Sequence, residues 1–185
     1  MANHVMTWIE VESDNPKVYE KLNKMFPESD DWETQGHTMY LFDKLYGEGT
    51  EYNRTDYTDA IGAKWCYVEE IDGDDDYFNI HTTSAWYYPQ HAIEQLHHIL
   101  SEIDEKVLVK FTYEDESYNP VGGGGVYMGE LYAEEGDMEY PDEDDFDSDE
   151  AYDEAVDHFY DYVSDCKDEH QQNAIDYLME EYKED

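Results

Sequence analysis

The chain has 185 residues, with 50 Asp and Glu against 10 Lys and Arg, so its formal charge is −40 at pH 7. Such a charge repels nucleic acid and anionic membrane and draws basic surfaces over long range, which argues against direct nucleic-acid or membrane binding. Chain-wide disorder is the ordinary outcome of so acidic a composition, but 19 Tyr, 6 Phe and 4 Trp supply the aromatic surface for a core and exclude it.

In chain order, His4–Glu12 is expected as a strand, since Val5, Thr7, Ile9 and Val11 alternate with their neighbours. Ser13-Asp14-Asn15-Pro16 then starts a helix through a capping side chain and an early proline. Val18, Leu22, Met25 and Phe26 form its apolar stripe, and Pro27 stops it. Residues 38–46 read as a strand. Residues 64–71 and 77–83 read as a hairpin that turns at Asp72-Gly73. Pro89 opens a second helix, with Ile93, Leu96, Ile99, Leu100 and Ile103 at helical spacing. Residues 107–113 and 125–132 complete the strands, and the order implies an α+β domain with two helices on one face of an antiparallel sheet.

Composition changes near Ala133, which divides the chain into a domain over 1–133 and an acidic segment over 134–185. The second part holds 23 acidic residues against Lys167 and Lys183, whereas the first holds 27 acids and eight bases. Residues 139–150 read as an acidic loop or linker. Two helices, 149–164 and 168–182, are expected to follow as a helical hairpin packed on the domain.

Chemistry-bearing motifs are sparse. Cys66 and Cys166 form neither a disulfide framework nor a metal pair and read as reduced thiols, Cys66 as core filling. His81, His91, His97, His98, His158 and His170 show no metal-ligand spacing and read as surface or half-buried side chains with satisfied hydrogen bonds. Gly122-Gly123-Gly124-Gly125 lacks the Lys-Ser/Thr of a phosphate cradle and points to a bulge or close backbone packing. The acid runs at 72–76 and 142–147 lack the order of a calcium-binding EF-hand loop. No catalytic set and no cofactor are expected. The opening Met-Ala-Asn-His has no signal-peptide character, and no apolar run is long enough to span a bilayer, so the expectation is a soluble cytoplasmic protein.

Ile61-Gly62-Ala63-Lys64-Trp65, Thr83-Ser84-Ala85-Trp86 followed by Pro89, and Val109-Lys110-Phe111-Thr112-Tyr113-Glu114-Asp115-Glu116 before a glycine-rich strand recur together in a known group. With these segments, residues 4 to 133 resemble the YubB-like ferredoxin-like family of bacteriophage and plasmid proteins. The resemblance implies a ferredoxin-like fold and a mobile-element origin, in a bacterial host. It implies no reaction.

The most regular pattern lies in the acidic segment. Asp149, Asp153, Asp157, Asp161 and Asp165 recur at every fourth position, with Asp176, Glu180 and Glu184 continuing the idea. On a helix these carboxylates fall about 6 Å apart along a winding face. Phosphates along one DNA strand recur at roughly that separation once winding is added to the axial rise of about 3.4 Å. Solvated helix faces ordinarily mix signs, whereas like charges four apart cost about 0.2–0.5 kcal/mol per pair. The expected partner is therefore a basic DNA-binding host protein, met by these residues together with Asp142, Glu143, Asp144, Asp145, Asp147, Asp72, Asp74, Asp75 and Asp76. The alternative is an adaptor that uses its sheet face and carries charge for solubility; the composition is also compatible with a homodimer.

Overall fold

The computed structural model describes residues 3–47 and 54–183. Strand β1 (His4–Glu12) buries Val5, Thr7, Ile9 and Val11, as the alternation requires. Helix α1 (Pro16–Met25) begins where the Asn15 side chain accepts from the Lys17 amide at 3.2 Å, with Pro16 in its first turn. Three short helices follow: α2 (Trp32–Gln35), α3 (Tyr40–Tyr46) and α4 (Arg54–Ile61). Then come β2 (Lys64–Gly73), β3 (Phe78–Ala85), α5 (Gln90–Ser101), β4 (Leu108–Asp115), β5 (Val121–Tyr127), β6 (Glu130–Gly136) and α6 (Asp149–Glu181).

All strand pairs are antiparallel, in the spatial order β2-β3-β1-β4-β5-β6. The main core forms on one face of this sheet. There Ile9, Ile80, Val109 and Phe111 meet Val18 and Leu22 of α1, Leu41, Phe42 and Leu45 of α3, Ile61 of α4, and Ile93, Leu96 and Leu100 of α5. The opposite face carries Trp8, Lys110, Thr112 and Glu114, whose register partners alternate with the core residues. Helix α6 lies on this second face, against β4, β5 and β6.

Four expectations are corrected. Residues 40–46 form helix α3 rather than a strand, because Leu41 and Leu45 share one helical face and Phe42 stacks on Tyr46 four residues on, at 4.9 Å between ring centroids. The β2–β3 hairpin turns at residues 74–77, where the Asp74 amide donates to the Tyr77 carbonyl at 3.0 Å. Gly73 stays in the ladder, and a Cβ there would lie 2.4 Å from the Phe78 ring. Residues 125–132 are not one strand but the ends of β5 and β6 around Met128-Gly129. Both turn residues have positive φ, 52° and 86°, which is the two-residue turn that suits strand twist. Lastly, the acidic C-terminal segment is a single 33-residue helix, not a hairpin. Nothing at Asp165-Cys166-Lys167 stops a helix, and one seam of Phe159, Val163, Ala174, Ile175 and Leu178 is buried along its length.

The glycine run explains how α6 reaches the sheet. A Cβ at Gly123 would lie 2.7 Å from the Gln171 amide nitrogen and 2.8 Å from the Lys167 carbonyl oxygen. Of the two readings of this run, close backbone packing is the one the molecule uses.

Candidate protein-docking surface

Helix α6 starts at Ser148, whose hydroxyl accepts from the Ala151 amide at 3.3 Å. Asp149 and Glu150 in the first turn complement the helix dipole. Farther along, the acids gain nothing from it. The last turn contains no basic residue, and Glu180 and Glu181 sit at the end where cations would be favoured. At about 1.5 Å per residue the helix is about 50 Å long.

Asp149, Asp153, Asp157, Asp161 and Asp165 are all exposed, as are Asp176 and Glu180. Among the described residues none of these five aspartates has an ion-pair partner. The lysines nearby are used internally. Lys167 pairs with Glu114 at 2.5 Å and covers the Trp8 ring at 4.3 Å, while Lys110 bridges Glu10 and Glu12 at 3.1 and 3.3 Å. The acid row therefore faces solvent without local neutralisation.

Aromatic rings flank that row. Tyr162, at 64% exposure, is the most exposed large apolar side chain among the described residues, and Tyr160 and Tyr177 are about half exposed. Tyr160 makes edge contacts with Tyr118 and Tyr140, and these rings close over Phe159, which with Val121 and Val163 forms a small second core. Burial, helped by a hydrogen bond with Tyr160, pushes the Tyr118 phenol up to about 12. Tyr177 stacks on Tyr132 at 4.3 Å, and its phenol is raised chiefly by the charge of Glu181.

The loop before α6 adds to the same end of the molecule. Glu143–Asp145 is a single 3-10 turn capped by Asp142, whose carboxylate accepts from the Asp144 amide at 3.1 Å. Tyr140 and Phe146 tie the loop to Phe159 and Tyr152 of α6, so Glu143, Asp144, Asp145 and Asp147 are exposed on a fixed segment.

Beside α6 the second sheet face stays open over β1, β2 and β3. A groove of about 330 Å³ runs there, with Glu10, Glu70 and Asp72 on the sheet side and Asp168 and Gln171 on the helix side. Trp8 forms its floor, stacked on His81 at 4.9 Å. Burial lowers the His81 pKa, opposed by Glu69, Glu70 and Glu114, and its Nε2 is buried without a hydrogen-bond partner. His97 is likewise buried with Nε2 unpartnered, against the expectation of surface or half-buried histidines with satisfied hydrogen bonds.

The structure thus joins two of the three acid groups singled out in the sequence. Asp142 to Asp147 run directly into the α6 row, and Asp72 shares a groove with α6. Asp74, Asp75 and Asp76 sit apart, at the tip of the edge hairpin β2–β3, with β1 between that hairpin and the strands under α6. Glu184 lies outside the described residues. Among the described residues no cluster of three or more His, Cys, Asp or Glu is arranged to hold a metal ion, and no helix is long and apolar enough to cross a membrane.

Sequence reasoning did not single out a second surface. Trp65 and Trp86 are exposed at 43% and 57%, and both hold left-handed backbone conformations, with φ of 48° and 77°. Tyr67 and Tyr87 lie beside them in sequence order and are also exposed. No protein-family model, curated protein or solved structure matches the chain.

Proposed function

We propose that this protein is a non-enzymatic acidic decoy, encoded by a phage or plasmid, that occupies the DNA-binding site of a host protein in the bacterial cytoplasm. A restriction enzyme, a defence nuclease or a nucleoid protein is the class of target. One observation carries the reading: five exposed aspartates, without ion-pair partners among the described residues, follow each other along one helix at about 6 Å. Each of the four successive pairs costs the helix about 0.2–0.5 kcal/mol, and Asp is a weak helix former. Folding gains nothing from that arrangement, whereas a basic groove does. Long-range attraction would steer the partner in, and the flanking tyrosines would supply apolar contact after docking. The spatial order β4-β1-β3-β2, with helices after β1 and β3, supports a ferredoxin-like arrangement extended by β5, β6 and α6.

Competition with labelled DNA for purified basic DNA-binding proteins tests the reading. Inhibition is expected to weaken steeply between about 50 and 200 mM salt, as phosphate contacts do. The triple substitution Asp153→Lys, Asp157→Lys and Asp161→Lys is expected to abolish it, and undiminished inhibition by that variant would falsify the decoy reading. Trp65, exposed beside Tyr67 on the open face of β2, favours a second reading, an adaptor that docks through the sheet face, because an exposed indole on left-handed backbone is costly to keep. That reading requires Trp65→Ala, and not the aspartate reversal, to remove partner binding.

A further inference from the structure

We infer that the open sheet face carries a pocket for an arginine side chain of a partner protein; the inference rests on the sheet-face reading above and not on the aspartate row. A cavity of about 340 Å³ lies there, lined by Trp65, Tyr67 and Glu69 of β2, Thr83 of β3 and His4 of β1. Helix α6 lies elsewhere, against β4, β5 and β6. Strand alternation sends Cys66 and Val68 into the core and leaves Tyr67 exposed on the other side. The register with β3 slips between Lys64 and Tyr67 and again between Val68 and Glu70. The first slip holds Trp65, at φ 48°, and the second holds Glu69. Such bulges re-aim side chains, and here both re-aimed residues line the cavity. A bulky residue on left-handed backbone is strained, and strain of that kind gathers at ligand clamps.

Two rings and one carboxylate, with no lysine or arginine in the lining, decide what the cavity accepts. His4 lies 3.8 Å from the carboxylate of Glu116, which offsets any positive charge it takes on. An apolar side chain would strip water from Glu69 and return no hydrogen bond. Phosphates and carboxylates are repelled by Glu69 and by the net charge of −40. A lysine ammonium answers the charge, but it is a compact, strongly hydrated point with no flat face. A guanidinium is planar and weakly hydrated. It stacks on indole and phenol rings while its fork meets a carboxylate through two parallel hydrogen bonds. Charge complementarity and ring chemistry therefore point to one occupant, arginine.

The full chain, labelled with nitrogen-15, would be titrated with Nα-acetyl-arginine methylamide at constant ionic strength. The readout is the four indole N–H signals, with that of Trp65 assigned by its loss in Trp65→Phe. The Trp65 signal is expected to shift saturably, with a Kd of about millimolar, the scale of a dozen ligand atoms. The lysine analogue and the uncharged citrulline analogue are each expected to bind at least about tenfold more weakly. Glu69→Gln should weaken arginine binding about tenfold, whereas Asp153→Asn, which removes the same charge from α6, should leave it unchanged. Tyr67→Leu should weaken it about threefold. Four indole signals that drift together without saturating, equal losses in Glu69→Gln and Asp153→Asn, or a lysine analogue as tight as arginine overturns the inference. Free arginine bound tenfold tighter than the blocked amide overturns it too, since a small-molecule site would then replace a docking pocket. None of these results touches the sheet-face reading, which fails only if Trp65→Ala leaves partner binding intact.

Discussion

Gly123 shows how one missing side chain fixes the position of the acid row. Its absent Cβ leaves room for the α6 backbone, at the Gln171 nitrogen and the Lys167 oxygen, and backbone atoms cannot swing aside as a side-chain tip can. Gly123→Ala is therefore expected to push α6 off the sheet and to destabilise the fold by about 1–3 kcal/mol, the usual range for overpacking. Gly125→Ala is the matched control. The nearest atoms to its Cβ would be on the Leu108, Ile175 and Leu178 side chains at 3.4 to 3.6 Å, and the substitution also removes conformational entropy from the unfolded chain. Urea midpoints should fall for the first and hold or rise for the second; equal midpoints would remove Gly123 as the contact that seats the helix. The run of four glycines already signalled close packing in the sequence. What packs there was not legible, because the partner is a helix far downstream and nothing local to the run names it.

At the scale of elements, legibility followed local signals. His4–Glu12 alternates cleanly, Asn15-Pro16 caps a helix, and the structure has both. Residues 38–46 hold apolar side chains too densely to separate the two periods, and tertiary packing of Leu41, Phe42 and Leu45 selected the helix. The Met128-Gly129 turn was missed because Met is not a usual residue for a positive φ. The every-fourth-residue aspartates are legible in the sequence, whereas the break expected after Ser164 is absent from the helix. In the sequence Lys167 is only one of two bases in an acidic stretch, whereas in the structure it anchors the middle of α6. Its ammonium meets Glu114 and the Trp8 ring with both ionic side chains largely buried. Lys167→Met would strand the Glu114 carboxylate and is expected to cost about 2–4 kcal/mol. Adding Glu114→Gln should return at least half of that loss. Thermal unfolding of the two variants, followed by tryptophan fluorescence, measures the difference, and a double variant as unstable as the single one would deny the pairing its role.

For the whole molecule the question is what a charge of −40 does to a fold with few compensating pairs among its described residues. Among the described residues the lysine ion pairs are Lys44 with Asp30, Lys110 with Glu10 and Glu12, and Lys167 with Glu114. In each the lysine side chain is mostly buried, so added salt screens these pairs less than it screens the open acid surface. Salt should then act on stability mainly by relieving repulsion among exposed carboxylates, those of α6 and of residues 142–147 above all. Raising sodium chloride from about 0.05 to 0.5 M shortens the screening length from more than 10 Å to well below it, close to the spacing along the acid row. The melting temperature is expected to rise over that range by about 3 °C, equivalent to roughly 1 kcal/mol for a chain of this size. Binding to a basic partner should weaken over the same range. The two trends have opposite signs, and that opposition separates the explanations of the charge. A solubility coat without a partner predicts only the first. A charge set that the fold needs for its own cohesion predicts that salt lowers the melting temperature. A rise in stability with a fall in competition, measured on the same samples, is the pattern required of a protein that keeps its acids strained in the free state and relieves them in the arms of a basic groove.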